Sequence, residues 1–406
     1  MYPRLANTLQ NMSFFLFGAR ATGKSALLRS KIITDNSIVI DLLDDEQFIT
    51  FSKSSKILEE RLRSHLHRNN QMPDWIVLDE VQRVPKLLNE VHRLLESPEY
   101  RGKIKFALTG SSARKLKRRS ANMLAGRALV NRLFPLTFEE LGPDFLLERV
   151  LNWGSLPGVY TADDDHIRAA MLRSYVTTYI TEEIREEQVI RNIDPFLRFL
   201  EVAAQCNGQI INCSAIGRDC KIEPKTIARY FQILEDTLLG FYLPAYEISV
   251  RKQQRQTPKF YLFDLGVLRA LSGTLSVPVI PQTYGYGQVF EALIINEIHR
   301  LNHYYEAEFK LAYLRTKDGA EVDLVIRTPR RDVYLVEIKS SASVSEESAR
   351  KLERFVDSFE NASAVILSQE TAYRRIGRVD VYPWREGVEG LFSVQKECLR
   401  RNLRHV

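Results

Sequence analysis

The stretch FFLFGARATGKSALLRS constrains this chain more than any other. An apolar run, Phe14 to Phe17, leads directly into Gly18-Ala19-Arg20-Ala21-Thr22-Gly23-Lys24-Ser25, and a helical pattern follows at once. This is a complete GxxxxGK[ST] in a strand–loop–helix setting. Glycines are needed because the loop backbone must wrap phosphate oxygens with its N–H groups; Lys24 then reaches the outer phosphates and Ser25 offers a hydroxyl to magnesium. The expected ligand is ATP with Mg²⁺.

A second stretch, PDWIVLDEVQRV, ends an apolar strand on Asp79-Glu80. An Asp there can hold magnesium, and the following Glu can orient and deprotonate water. A third strand, KIKFALTGSS, ends in Thr109-Gly110-Ser111-Ser112. These are polar groups at the carboxyl end of a sheet strand, where open α/β folds hold ligands, so Ser111 is read as contacting the terminal phosphate or the water. Arg127, after Gly126, could stabilise transition-state charge in its own subunit or in a neighbouring copy, which makes a homo-oligomer one expectation. The run Arg114-Lys115-Lys117-Arg118-Arg119 reads either as a solvated helix face or as a nucleic-acid contact. Across residues 1–145, strand-like runs near Phe14–Phe17, Ser37–Leu42, Trp75–Leu78 and Ile104–Leu108 alternate with amphipathic helical stretches, the pattern of a parallel α/β sheet.

At 406 residues the chain exceeds one ordinary core, and two or three domains are expected. The net charge of +6 suits an anionic partner without requiring one. Cys206, Cys213, Cys220 and Cys398 show neither CxxC pairs nor histidines at zinc spacing, so reduced thiols are expected. No apolar run has transmembrane length, and MYPRLANTLQNMS lacks a signal-peptide core; a cytoplasmic protein with no membrane partner is the expectation.

In a middle region placed at 146–275, periodicity is mostly helical from about Leu151 to Leu239; from 195 it reads as a helix, a second at Cys213–Cys220 and a third at about Pro224–Leu239, then strands around Phe241–Tyr246 and Lys259–Phe263. That order predicts a winged helix. Ile227, Tyr230, Phe231 and Leu234 form the core stripe of the third helix, with Lys225 and Arg229 outward. The loop RKQQRQTPK stands at the wing position; on a DNA-binding reading Arg229, Arg251, Lys252 and Arg255 would touch phosphates, with DNA favoured over RNA. Glu223, Glu235 and Asp236 on the same helix favour a protein-packing role instead. Pro, Gly and Tyr in SVPVIPQTYGYG, Ser276 to Gly287, predict a linker or domain boundary.

From Phe290 the order reads helix, three strands, helix, strand, strand, over a domain placed at 276–406. EVDLVIRTPRRDVYLVEIKS plants acids in buried strands. With a turn near Arg330, Asp323 and Glu337 stand opposite each other, and Lys339 shares the face of Glu337. Two facing carboxylates repel unless a cation sits between them, which makes Asp323 and Glu337 candidate ligands of a second Mg²⁺ or Mn²⁺. Glu291 on the preceding helix would complete the site, and Lys339 would orient a water against a phosphodiester. The contrary reading is an ion-pair cluster around Lys339, with Glu321 opposite it in this register.

The order GARATGKS, LDE, LTGSS, LAGRA and PLTFEEL, continuing through WGSLPGVY, KFYLFDLGVL, GQVFEALIINEI, EVDLVI and VEIKSS, resembles the AAA-type P-loop ATPases of bacteria and archaea that carry a domain of unknown function 4143. The helix–three-strand–helix–strand order with its D-x(n)-ExK spacing resembles the PD-(D/E)xK nuclease fold. The resemblance implies ATP binding, hydrolysis and a nuclease-like C-terminus; with the residues read above, the expected fold is an α/β P-loop domain, a helical winged-helix region and a nuclease-like α/β domain, with Glu80 as base. The expected function is an ATPase that couples nucleotide state to DNA binding and metal-dependent cleavage; the alternatives are a nucleotide-controlled switch whose nuclease-like domain is inactive and a DNA-binding regulator.

Overall fold

The computed structural model describes residues 2–7, 11–111, 124, 126–180, 193–247 and 256–402. The basic run 114–119 and the wing residues Arg251, Lys252 and Arg255 lie outside them, as does Ser112. The chain divides into two compact units, Met1–Leu136 with Ile233–Leu239, and Thr137–Gln232 with Gly240–Val406.

The first unit is a five-stranded parallel sheet in the order β2-β3-β4-β1-β5. Its strands are β1 (Ser13–Phe17), β2 (Ile38–Asp41), β3 (Ile76–Asp79), β4 (Phe106–Gly110) and β5 (Ala128–Arg132). The helices α1 (Lys24–Lys31), α2 (Asp45–Lys53), α3 (Ile57–Asn69) and α4 (Leu87–Glu96) connect them. Every residue of β1 and β4 is buried, as near-continuous apolar runs of a sheet covered on both faces require. Phe15, Leu78, Phe106, Leu108 and Tyr100 join one core with Leu58 and Leu62 of α3 and Leu87, Val91 and Leu94 of α4. Because all strands run the same way, the ends of β1, β3 and β4 reach one edge together. The fifth strand was not anticipated: ALVNR is half-exposed and carries too weak an apolar signal.

The helices Asp194–Gln205 and Cys213–Cys220 of the second unit, and the helix Pro224–Asp236 whose residues from Ile233 belong to the first, precede a two-stranded antiparallel ribbon of β6 (Gly240–Leu243) and β7 (Lys259–Leu262). Ile227, Tyr230, Phe231 and Leu234 are buried, as their helical spacing requires, while Lys225 and Arg229 are exposed. The third helix ends at Asp236 rather than Leu239. The expected linker is partly helix: Thr283 accepts the Tyr286 N–H in its side chain, and Tyr284–Tyr304 is one continuous helix. The capping oxygen offsets the low helix propensity of Gly285 and Gly287 in the first turn.

A six-stranded mixed sheet follows, in the order β12-β13-β11-β10-β9-β8. The strands are β8 (Lys310–Arg315), β9 (Glu321–Arg327), β10 (Val333–Lys339), β11 (Ala362–Ser368), β12 (Arg374–Ile376) and β13 (Val379–Pro383). β9 and β10 form an antiparallel hairpin in which Val336 pairs with Leu324, the register of a turn near Arg330. Val322, Leu335, Ile366 and Val381 pack beneath the helix Glu346–Val356 through Ala349 and Leu352.

Within this unit Glu297 is fully buried; its carboxylate accepts from the Phe138 N–H at 3.1 Å and from Arg300 at 3.2 Å. Desolvation pushes this carboxyl up to about 7 against the pull of Arg300. Among the described residues no helix is long and apolar enough to cross a membrane.

Candidate functional site

At the carboxyl edge of the first sheet, β1 runs into the glycine loop and α1 starts at Lys24. Gly23 caps α1 at φ 97°, a left-handed conformation that favours glycine. Gly18 leaves no room for a side chain: a Cβ there would stand 2.4 Å from the Leu133 carbonyl oxygen. Lys24 is buried, and its ammonium donates to the carbonyls of Gly18 at 2.8 Å and Ala19 at 3.3 Å, with Glu80 Oε1 at 3.9 Å. Thr22 donates to the Ala19 carbonyl at 2.8 Å, which tightens the loop.

Two strand ends, those of β3 and β4, meet this loop. Ser25 Oγ donates to Asp79 Oδ2 at 2.9 Å, and the Thr109 hydroxyl donates to Asp79 Oδ1. Thr109 also accepts the Glu80 N–H at 3.0 Å. Glu80 sits in the left-handed region at φ 58°, directly after β3. The Gln82 amide donates to the Glu80 carboxylate and, at 3.0 Å, to Ser111 Oγ. The fold thus brings Lys24, Ser25, Asp79, Glu80 and Ser111 into one connected cluster. The residues fit a magnesium nucleotide by their chemistry: a buried ammonium, a hydroxyl beside a carboxylate, and the open N–H groups that begin any helix.

Arg127 does not join this cluster within one chain. It precedes β5, whose first residue Ala128 pairs with Ser13, so it stands at the amino edge of the sheet, about 20 Å from Gly18 at ~3.3 Å per strand residue. There its guanidinium pairs with Glu96. Sequence reasoning had no access to this, because the strand after Gly126 went unrecognised. It also missed Arg4, which donates to the Thr22 carbonyl at 2.7 Å and to the Phe134 carbonyl at 2.6 Å, tying the loop to the chain beyond β5. A lone Arg near the N-terminus carries no sequence signal. Gln82 was equally unmarked.

The second unit holds an acid cluster beside a cavity of about 570 Å³. The Ile338 N–H donates to Asp323 Oδ2 at 2.8 Å, and Lys339 donates to Glu337 at 2.6 Å. Glu291 accepts from the Tyr261 hydroxyl at 2.8 Å. Glu321 does not pair with Lys339, as its register position suggested; it binds Lys259 at 2.5 Å. Lys259, where the basic stretch RKQQRQTPK meets the strand expected at Lys259–Phe263, was given no role in this cluster, yet its side chain is only 5% exposed and its ammonium is 3.8 Å from Glu291. The two-residue period of a strand, which puts Lys259 on the same face as Tyr261, was the available signal.

Burial, and then the charges of Glu337 and Glu291, hold the Asp323 carboxyl well above its usual range. Burial likewise raises Glu291, against Lys259 and the Tyr261 hydrogen bond. Carboxylate oxygens suit a hard divalent ion in kind. They do not suit it in arrangement: among the described residues no three His, Cys, Asp or Glu side chains stand in metal-holding geometry.

Comparison with known proteins finds residues 10–142 matching an AAA domain, residues 144–277 a domain of unknown function (DUF8612) and residues 286–386 a domain of unknown function (DUF4143). The chain therefore carries a P-loop ATPase-type AAA domain fused to a DUF4143 domain. An uncharacterized protein of Mycobacterium tuberculosis is 26% identical over 296 residues, which cover 73% of this chain and 65% of the relative's length. One of Haemophilus influenzae is 22% identical over 347 residues, covering 78% of this chain and 80% of its own. One of Methanocaldococcus jannaschii is 24% identical, with 79% and 73% covered. The ORC1 protein of Aeropyrum pernix, solved with DNA, covers 64% of this chain and 86% of its own at 16% identity and a TM-score of 0.26, a level from which no common architecture follows.

Proposed function

We propose that this protein binds ATP with Mg²⁺ and hydrolyses it. The observation that carries this reading is the 2.9 Å bond from Ser25 to Asp79, which joins the end of the glycine loop to the end of β3. Lys24 would turn from its loop carbonyls to the outer phosphates. Ser25 and Asp79 would hold the magnesium ion, which neutralises charge on the phosphates. Glu80 would take a proton from the attacking water, with Ser111 and Gln82 setting its position. Gly18, Ala19, Arg20, Ala21, Thr22 and Gly23 supply the surrounding backbone. Arg127 remains a candidate only toward a neighbouring copy. Purified protein tests this directly: no ATP binding and no turnover by the wild type overturns the reading, and turnover that survives Glu80→Gln unchanged overturns the role of Glu80.

The order of three helices and an antiparallel ribbon over Asp194–Leu262 supports reading this stretch as a winged helix. The sheet with its β9–β10 hairpin, preceded by the helix Tyr284–Tyr304, supports a PD-(D/E)xK-like domain. On this reading nucleotide state controls engagement of nucleic acid, DNA before RNA, and Asp323, Glu337 and Glu291 are the oxygen donors of a phosphodiester-cleaving site beside Lys339. The second reading is a nucleotide-controlled switch with an inactive nuclease-like domain. It is favoured by one observation: Lys339 and Lys259 already pair with Glu337 and Glu321. Labelled single- and double-stranded DNA and RNA, incubated with Mg²⁺ or Mn²⁺ with and without ATP, separate the two: cleavage lost in Asp323→Ala supports a nuclease, and no cleavage of any substrate supports the switch.

A further inference from the structure

Three carboxylates, Glu291, Glu321 and Asp323, line the 570 Å³ cavity of the second unit with Lys259, Lys339 and Arg315, and Glu337 holds Lys339 at 2.6 Å. Lys339 belongs to the same strand as its partner Glu337 and is more than a third exposed. Lys259 is different in origin and in burial. It comes from β7 of the middle ribbon, its side chain is 5% exposed, and its ammonium lies between Glu321 at 2.5 Å and Glu291 at 3.8 Å. The Tyr313 ring faces it at 5.4 Å.

The backbone fixes this placement from several sides. Lys259 pairs with Leu243 across the ribbon and bridges to Ile210. Ile211 donates its N–H to the Pro258 carbonyl at 3.0 Å, and the Tyr313 hydroxyl donates to the Thr257 carbonyl at 2.6 Å. A flexible surface lysine would gain little from such a pair. A lysine delivered into a half-buried acid cluster by a paired strand supplies the counter-charge those acids require.

We propose that Lys259 is the built-in cation of the acid cluster, occupying the charge position a divalent ion would take, so that an ion binds only in competition with it. This rests on reading Glu291, Asp323 and Glu337 as latent metal donors. It accounts for acids whose chemistry suits a hard cation but whose arrangement does not: the Lys259 ammonium already stands 2.5 Å from Glu321 and 3.8 Å from Glu291. The ribbon carrying β7 thereby becomes the element whose position decides whether the cluster accepts an ion.

The test is a Mn²⁺ titration of the full chain, followed by calorimetry and by electron paramagnetic resonance of the free ion. Lys259→Met should bind one ion at least about tenfold more tightly than wild type, since an ammonium a few ångströms from a divalent ion in a partly buried site repels it strongly. Lys259→Arg, which keeps the charge, should remain weak, and Lys259→Met with Asp323→Asn should lose the gain, assigning it to this cluster rather than to the glycine loop. A measurement on wild type needs no substitution: reductive methylation of Lys259, read by mass spectrometry, should rise when saturating Mn²⁺ displaces the ammonium. Wild type binding as tightly as Lys259→Met at a site sensitive to Asp323→Asn, with methylation unchanged by Mn²⁺, overturns the role of Lys259 alone. No Asp323-dependent binding in any variant overturns the metal-donor reading as well.

Discussion

Ser25 Oγ and Asp79 Oδ2 lie 2.9 Å apart although 54 residues separate them in the chain. The bond places a hydroxyl and a carboxylate side by side, the pair that would hold the magnesium ion of a bound nucleotide. Removing the nearby positive charge should therefore cost binding before chemistry. Lys24→Ala is expected to weaken ATP by about 2–5 kcal/mol, the usual cost of truncating one partner of a buried charged contact. Isothermal titration calorimetry reads this; equal affinity in wild type and variant would remove the loop from the nucleotide site.

Glu80 should behave in the opposite way. Its carboxylate is held by Gln82 and lies 3.9 Å from Lys24. Glu80→Gln keeps the size and loses the basicity, so turnover should fall by about 10²–10⁴-fold while ATP affinity stays within a small factor of wild type. A phosphate-release assay beside a binding titration checks both halves.

The backbone contact at Gly18 yields a steric prediction. A methyl group would meet the Leu133 carbonyl oxygen at 2.4 Å and the Thr22 hydroxyl at 2.8 Å. Gly18→Ala should push the loop out of register and cost about 1–3 kcal/mol of stability, seen as a lower melting temperature, together with weaker nucleotide binding.

Glu297 makes stability depend on pH. Its carboxyl is raised from an ordinary 4.5 to about 7 by burial, so between these values the native state holds a proton that the unfolded chain releases. The stabilisation is complete below about 4.5 and is lost as pH rises through about 7, with a slope of at most ~1.4 kcal/mol per pH unit for one group. Glu297→Gln should flatten the melting-temperature profile over that window; an identical slope in wild type and variant refutes the assignment.

The basic loop at Arg251, Lys252 and Arg255 tests the nucleic-acid reading. Reversing the charge of Arg251 and Lys252 together should weaken duplex binding for all sequences alike and reduce its salt dependence by about two phosphate contacts. Fluorescence anisotropy across a salt series measures this, and an unchanged slope assigns the ribbon to packing.

Much of the first site was legible in the sequence because its parts are local. GARATGKS and LDE each need fixed residues at fixed spacing, since one loop must wrap phosphates and one strand end must present acids. The hairpin register was legible for a similar reason: alternation in EVDLVI and VYLVEI leaves a single pairing that buries the apolar face, and Val336 opposite Leu324 is that pairing. Tertiary structure decided the rest. Arg127 follows a glycine in a promising string, yet the parallel pairing of β5 with β1 carries it to the far edge of the sheet. Glu321 stands opposite Lys339 by register, yet Lys259 captures it, because β7 brings a buried ammonium closer than its own partner strand does. Spacing along a chain determines which residues share a strand or a loop; which charge lies nearest in space depends on strands folded against one another from distant parts of the sequence, and in a partly buried site that nearest charge decides the pairing.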